Sequence, residues 1–192
     1  MLYLVRHGRT ATNAAGLLLG RTDASLDELG RRQAAALGAV PALHGAARVV
    51  SSPLARAFDT AAALGPPVTI DERWMEIDYG VFDGARQDAA AELWVGWDAD
   101  PEFRAPEGES LADLRRRVHA ACGDLWDEAT SVDIVVVSHV SPIKAAVAWA
   151  IGLGDDAQWR MFLETASITS IGPGRRGPIL RSFNETSHRP GS

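Results

Sequence analysis

The chain has 192 residues, 46% hydrophobic and 23% charged, enough for one well-cored domain. A net charge of −6 argues against nonspecific nucleic-acid binding, which needs a positive surface, and no run of about 18 apolar residues is present to cross a membrane. The opening residues lack the basic start and long apolar core of a signal peptide, and the single cysteine, Cys122, has no internal disulfide partner, so a cytoplasmic, reducing location is expected.

Leu2-Tyr3-Leu4-Val5 is a short apolar run that stops at Arg6-His7-Gly8. A run of this length reads as a buried strand. Asp27 to Leu43 then carries Leu29, Ala34, Leu37 and Val40 at helical spacing. Arg48-Val49-Val50-Ser51 reads as a second strand. Ser52-Pro53 starts a helix, with proline in the first turn, that runs through Ala55 to Leu64 and ends at Gly65-Pro66-Pro67. Val68-Thr69-Ile70 is a third short strand, and an aromatic-rich loop covers Asp71 to Gly84.

A helical stretch from about Arg86 to Asp100 bears Trp94 and Trp97, which share a face and read as packing. After a loop over Pro101 to Ser110, Ser110 resembles an N-cap with Asp113 in the first turn. Leu111, Leu114, Val118, Ala121 and Leu125 make one apolar stripe of the long helix that follows, with Cys122 beside it. Arg115-Arg116-Arg117 reads as a solvated face, and His44 and His119 as surface residues. Asp133 to Ser138 is the clearest strand, β-branched and continuous, and it ends at His139. Ser141-Pro142 opens another helix, through Trp149 to Ile151. Two strands, Ser167 to Ile171 and Pro178 to Phe183, are expected around a turn at Gly172-Pro173-Gly174.

One pattern recurs: a strand ends and a reactive side chain appears. Taken alone, Arg6-His7-Gly8 is equally a strand end with two solvated polar residues. But Arg56 follows the second strand and His139 the strongest one. In a parallel sheet such ends share one edge, where ligands bind. Two arginines and two histidines there make an electropositive pocket suited to a tetrahedral anion. Helix N-termini at Pro53 and Ser141 would add N–H donors. Glu76, after the third strand, is a carboxylate able to transfer protons near that edge. No His/Cys/Asp cluster has metal-ligand spacing and no Gly-x-x-x-x-Gly-Lys loop occurs, so neither metal nor cofactor is expected.

With these residues the whole chain resembles the histidine phosphatase superfamily, also called the phosphoglycerate mutase-like family. The resemblance rests on Arg6-His7-Gly8 with Thr10 and Asn13, and on Ser51-Ser52-Pro53-Leu54 followed by Arg56-Ala57 and Thr60-Ala61. Glu76 with Gly80, Asp83 and Gly84 continues it, as do Gly108-Glu109-Ser110 and Val137-Ser138-His139. It implies a three-layer α/β/α sandwich with a mostly parallel central sheet. The expected domain is single, 1–192, with a helical insert over about 85–130 on the substrate side.

The resemblance also implies roles. His7 is the nucleophile that forms a phosphohistidine; Arg6, Arg56 and His139 bind the phosphoryl oxygens, with Asn13 assisting. Glu76 protonates the leaving oxygen and then activates water. Arg9, where the family commonly has an acid or glutamine, and Val140 and Ser141, where it often has glycines, would shape substrate choice at the rim.

The activity expected is metal-independent phosphomonoester hydrolysis of a small phosphorylated metabolite. The alternatives are a cofactor-dependent phosphoglycerate mutase and a non-catalytic phosphate-binding regulatory protein. The extra basic segment of the family's mutases is not found here. Sugar phosphates, phosphoglycerate derivatives and precursors such as α-ribazole phosphate all remain open as substrates. No nucleic-acid or membrane partner is expected, and a homodimer is compatible with the sequence.

Overall fold

The structure, a computed structural model, describes residues 1–189; the last three residues of the expected 1–192 domain lie outside the described residues. Its strands are β1 (Leu2–Arg6), β2 (Arg48–Ser51), β3 (Val68–Ile70), β4 (Ile134–Ser138), β5 (Ile168–Gly174) and β6 (Gly177–Glu185). They form one sheet in the order β3-β2-β4-β1-β5-β6. The first four are parallel, while β5 runs antiparallel to β1 and β6 antiparallel to β5.

Period-2 alternation distributes the central strands between two cores. Leu2 and Leu4 of β1 and Ile134 and Val136 of β4 face one core, while Val5, Val135 and Val137 face the other. The long helix α6 (Leu111–Ala129) and α7 (Val140–Ile151) cover the first face, through Leu114, Val118, Ala121, Ile143 and Val147. Helices α2 (Glu28–Gly38) and α4 (Ala55–Ala62) cover the second, through Leu37, Ala57 and Ala61. The result is a three-layer α/β/α sandwich with a mostly parallel sheet. Short helices α1 (Ala11–Ala14) and α3 (Pro41–His44) and helix α5 (Ala91–Ala99) complete it. None of the described helices is long and apolar enough to cross a membrane.

Local departures from the sequence reading have local causes. The helix expected over 27–43 breaks after Gly38, because Pro41 cannot continue the hydrogen-bond ladder and starts α3 instead. Pro53 precedes α4, whose N-cap is Leu54, so Arg56 is still in its first turn. Gly172, Pro173 and Gly174 belong to β5, and the turn falls one step later, at Arg175-Arg176. His119 is half-buried rather than a surface residue, because α7 packs beside it. His44 is exposed, as expected.

The chain leaving β1 passes unusually close to the start of α2. A Cβ on Gly30 would overlap the Arg9 carbonyl oxygen, and one on Gly8 would press on the Gly30 carbonyl. Two backbones therefore touch where most elements are separated by side chains, and this contact fixes the turn after His7. Gly30→Ala is expected to lower stability by about 1–3 kcal/mol, as overpacking of a tight site does. Gly123→Ala is the contrast: its Cβ would meet nothing within 4 Å on α6. It should gain up to about 1 kcal/mol from helix propensity. Urea denaturation midpoints of the two variants check both signs.

Candidate active site

The parallel register of β1 and β4 sets Arg6 opposite Ser138. The next residues of the two strands, His7 and His139, therefore leave the sheet side by side, and their ring centroids are 5.0 Å apart. The backbone pairing continues through the His7 N–H, which donates to the Ser138 carbonyl at 3.0 Å. β2 ends at the same level, Ser51 opposite Val137. Ser52 follows it, and its hydroxyl lies 2.8 Å from His139 Nε2.

Each ring is oriented by its second nitrogen. His7 Nδ1 lies 2.7 Å from the Gly8 carbonyl oxygen, which can only accept. Nδ1 therefore carries the proton and Nε2 keeps its lone pair. At His139, Ser52 Oγ already accepts the Leu54 N–H at 3.3 Å. That hydroxyl can give its proton to His139 Nε2, an arrangement that puts the ring's own proton on Nδ1, which is buried and has no partner among the described residues.

The two arginines are held by carbonyl oxygens rather than carboxylates. Arg6 Nη1 donates to the Leu163 carbonyl at 2.6 Å. Arg56, fully buried, donates to the carbonyls of Gly20 at 2.7 Å and Thr22 at 2.9 Å. Asp83 fixes that segment by accepting from the N–H groups of Gly20 and Thr22 and from the Thr22 hydroxyl. Thr60 Oγ1 links α4 to the first motif, accepting the Gly8 N–H at 3.0 Å and donating to the Arg56 carbonyl. The Nε–H groups of Arg6 and Arg56, like His139 Nδ1, are buried without a partner among the described residues.

Burial and these cations together set the state of the imidazoles. Burial first, then Arg56 and Arg6, hold His7 well below the usual value of 6.5. Burial, Arg56 and the neighbouring His7 do the same for His139. Burial also pulls Arg6 down to about 10, against the attraction of Glu76. The site thus combines neutral imidazoles with partly unsatisfied guanidinium donors.

Glu76 bridges this edge to α7. Its carboxylate accepts the N–H groups of Ile77 at 2.8 Å and of Val140 and Ser141 at 3.1 Å each. It therefore sits on the positive end of α7, whose N-cap is His139. The loop's other carboxylates are occupied elsewhere: Asp78 accepts the Gly80 N–H and Asp83 holds the 20–22 segment.

The Glu76 backbone is clamped from α6, which the sequence reading missed. Arg117 donates to the carbonyls of Arg73 at 2.6 Å, Met75 at 2.7 Å and Glu76 at 3.2 Å. Glu109 holds Arg117 through both oxygens, at 2.7 and 2.9 Å. Arg21 adds a 3.0 Å bond to the Glu76 carbonyl. Of the arginine triplet expected to be solvated, only Arg116 is exposed; Arg115 pairs with Asp155, and Arg117 turns inward. The signal was available: Arg117 lies three residues past Leu114 and four before Ala121, on the buried side of the helix.

The remaining predicted positions fall nearby or apart. Asn13 closes a capping box with Thr10 at the start of α1. Arg9 is drawn to Asp27, the N-cap of α2, at 2.8 Å. Val140 and Ser141 line a cleft beside Glu76, together with Trp94 and Trp97. Trp97 is buried, as packing requires, while Trp94 is partly exposed. Among the described residues, no group of three or more His, Cys, Asp or Glu is arranged to hold a metal ion.

The profile of the histidine phosphatase superfamily (branch 1) matches residues 2–186. A bifunctional protein of Mycobacterium tuberculosis is 37% identical over 177 residues, covering 88% of this chain but only 49% of that protein; the chain thus spans about half of that relative. A probable phosphoglycerate mutase, GpmB of Salmonella arizonae, is 32% identical over 179 residues, covering 88% of this chain and 83% of the relative. The crystal structure of an Entamoeba histolytica phosphoserine phosphatase in complex with 3-phosphoglyceric acid superimposes with a TM-score of 0.88. It is 27% identical and covers 97% of this chain and 98% of that one.

Two expectations follow from the geometry. Removing Arg117 leaves the Glu109 carboxylate only its longer contacts, 3.5 Å to Arg21 and 3.4 Å to the Asp78 N–H, and frees the carbonyls of Arg73, Met75 and Glu76, so Arg117→Met should cost about 1–3 kcal/mol. Chemical denaturation would read it. The imidazoles give a pH dependence of known sign. Below about pH 6.5 the unfolded chain binds protons that folded His7 and His139 refuse, so stability falls as pH falls. The slope is at most about 1.4 kcal/mol per pH unit for each group. The depressed carboxylates Asp27, Asp71, Asp83 and Asp113 act in the same direction, but only below their ordinary value of 3.8. Melting temperatures between pH 4 and 7 should therefore fall less steeply for His7→Asn and His139→Asn than for the unaltered chain.

Proposed function

The chain belongs to the histidine phosphatase superfamily, and from that premise we propose that it is a phosphomonoesterase acting on a small phosphorylated metabolite through a phosphohistidine. The observation that carries this reading is the set of buried, unpartnered donors on Arg6, Arg56 and His139 around a His7 kept neutral. An unsatisfied buried donor costs about 1–3 kcal/mol. Three of them at one sheet edge are accounted for by a ligand rich in acceptor oxygens. A phosphoryl group supplies three, and its negative charge offsets the two guanidinium cations.

In the first step, the lone pair of His7 Nε2 attacks phosphorus, and the bond from phosphorus to the leaving oxygen breaks. That oxygen takes the proton that Glu76 carries at the start of the cycle in its acid form and departs as the alcohol, leaving Glu76 as the carboxylate. In the second step, water attacks phosphorus, its proton passes to Glu76, and the phosphorus–nitrogen bond breaks. Inorganic phosphate leaves, and His7 and Glu76 return to their starting states. Arg6, Arg56 and His139, with Asn13 assisting, hold the oxygens and stabilise the charge spread over them in the transition state. The Gly8 carbonyl steadies the imidazolium side of the ring as its charge develops. Arg9, Val140 and Ser141 form the rim on this reading, although the Arg9 guanidinium is directed to Asp27. Cys122, buried and free, fits a cytoplasmic location.

The competing activity is phosphoglycerate mutase, the printed name of one relative. A mutase must hold a second anionic group while excluding water. The cleft beside Glu76 offers one lysine, Lys144, and that is countered by Asp98 in the same lining. Water is the better-supported acceptor.

His7→Ala should abolish the phosphoenzyme. Glu76→Gln should form it slowly, with kcat reduced about 10²–10⁴-fold for alkyl phosphates. Its loss in the formation step should be smaller for p-nitrophenyl phosphate, whose leaving group departs with little protonation. Rapid-quench detection of phosphohistidine on both variants tests the assignment. A Glu76→Gln enzyme fully active on an alkyl phosphate would sink the proton-transfer role, and interconversion of 2- and 3-phosphoglycerate exceeding phosphate release would replace hydrolysis by mutase activity.

A further inference from the structure

A cleft of about 580 Å³ opens beside Glu76, and its character differs from that of the phosphoryl site. Tyr79, Trp94, Trp97 and Trp159 form its wall. Their rings make one cluster: Trp94 meets Tyr79, Trp97 and Trp159 edge-on, with centroids 5.8–6.3 Å apart, and Trp97 stacks on Trp159 at 6.5 Å. Trp159 nevertheless remains 44% exposed. We propose that this cleft receives the alcohol half of the substrate, and that this half carries an uncharged aromatic ring system; the proposal rests on the phosphomonoesterase reading above.

Connectivity gives the first argument. Val140 and Ser141 line the cleft, and their N–H groups hold the Glu76 carboxylate. On the mechanism above, Glu76 delivers its proton to the leaving oxygen. Whatever that oxygen is bonded to must extend from Glu76, and the cleft is the space there. Lys144, further along the lining, still feels the charges of Glu76 and Arg6. The cleft and the phosphoryl site are thus parts of one electrostatic environment.

Hydrogen bonding gives the second. The Trp94 indole N–H donates to the Gln87 carbonyl at 2.9 Å and the Trp97 indole N–H to the Phe103 carbonyl at 3.1 Å. Those two indoles have no donor left for a ligand. They present ring faces and edges, which recognise another ring by stacking and edge contact. Gln87, Asp98, Ser141, Lys144 and Gln158 also line the cleft and can meet polar substituents of such a ring.

Charge gives the third. Lys144 is the only lysine of the chain, and its ammonium already donates to the Gln158 carbonyl at 2.8 Å. Asp98 is the opposite charge in the same lining. The cleft therefore has no surplus positive charge for a carboxylate or second phosphate. A substrate half that is flat and neutral matches it.

The test compares three esters with the intact protein: 2-naphthylmethyl phosphate, ethyl phosphate and 3-phosphoglycerate. The first two release primary alcohols of similar acidity, so their demand on Glu76 is similar. The expected kcat/KM for the naphthylmethyl ester exceeds that for the ethyl ester at least about tenfold, the size of one or two ring contacts. Trp159→Ala should reduce that ratio by about the same factor, and Trp159→Phe should restore most of it. Equal kcat/KM values, a ratio unmoved by Trp159→Ala, or a preference for 3-phosphoglycerate would each overturn the aromatic assignment while leaving the phosphatase reading intact. If no ester is hydrolysed, that reading fails, and calorimetric titration with 2-naphthylmethanol decides the cleft by itself. Binding weakened at least about fivefold by Trp159→Ala would support it, and binding that is absent or indifferent to Trp159 would overturn it.

Discussion

The site depends on the register between β1 and β4. Because the two strands are parallel and Arg6 lies opposite Ser138, the residues that follow them leave the sheet at the same level. A slip of one residue would send His7 or His139 to the other face, since side chains alternate with period two. Register in turn is held by burial on both sides: Leu2, Leu4, Ile134 and Val136 face one core and Val5, Val135 and Val137 the other. Two apolar layers thus determine the 5.0 Å separation of the two imidazoles.

Around those rings the fold concentrates positive charge in a buried place, which is costly unless the donors are satisfied. It does so with neutral acceptors. The carbonyls of Gly20, Thr22 and Leu163 take some of the guanidinium protons and leave others unused. Carboxylates bonded directly to Arg6 or Arg56 would have cancelled the charge; instead Asp83 acts one step back, on the backbone of the 20–22 segment. His7 stays neutral for related reasons, first because burial disfavours its charged form and then because a third cation among these groups would be repelled by the other two.

Glu76 is the exception, a carboxylate near these cations, and it is constrained more heavily than any of them. Backbone N–H groups fix its side chain, and guanidinium groups of Arg117 and Arg21 fix its backbone. The clamp reaches from α6, so a helix that otherwise serves the core also determines where the Glu76 carboxylate sits. The aromatic cleft begins on the other side of the same N–H groups, at Val140 and Ser141. His139, Glu76 and the cleft therefore meet at the first turn of α7.

The sequence determined what depends on short-range pattern. Strands and helices showed through their periods, and Ser110 with Asp113 announced the capping box that starts α6. Arg6, His7, Arg56, Glu76 and His139 stood out because each is a polar or charged residue at the end of a strand or in the segment that follows one, and the structure gathers His7, His139 and Glu76 at one sheet edge. Boundaries near proline and glycine were less legible, since Pro53 and Pro173 are compatible with either side of an element's end. Tertiary structure alone decided the long-range partners. Ser52 orients His139 across 87 residues, Arg117 clamps the Glu76 loop across 41, and Asp27 draws Arg9 to α2. A hydrogen bond or ion pair of that span leaves no periodic trace in the chain; it exists only once packing has brought the donors and acceptors together.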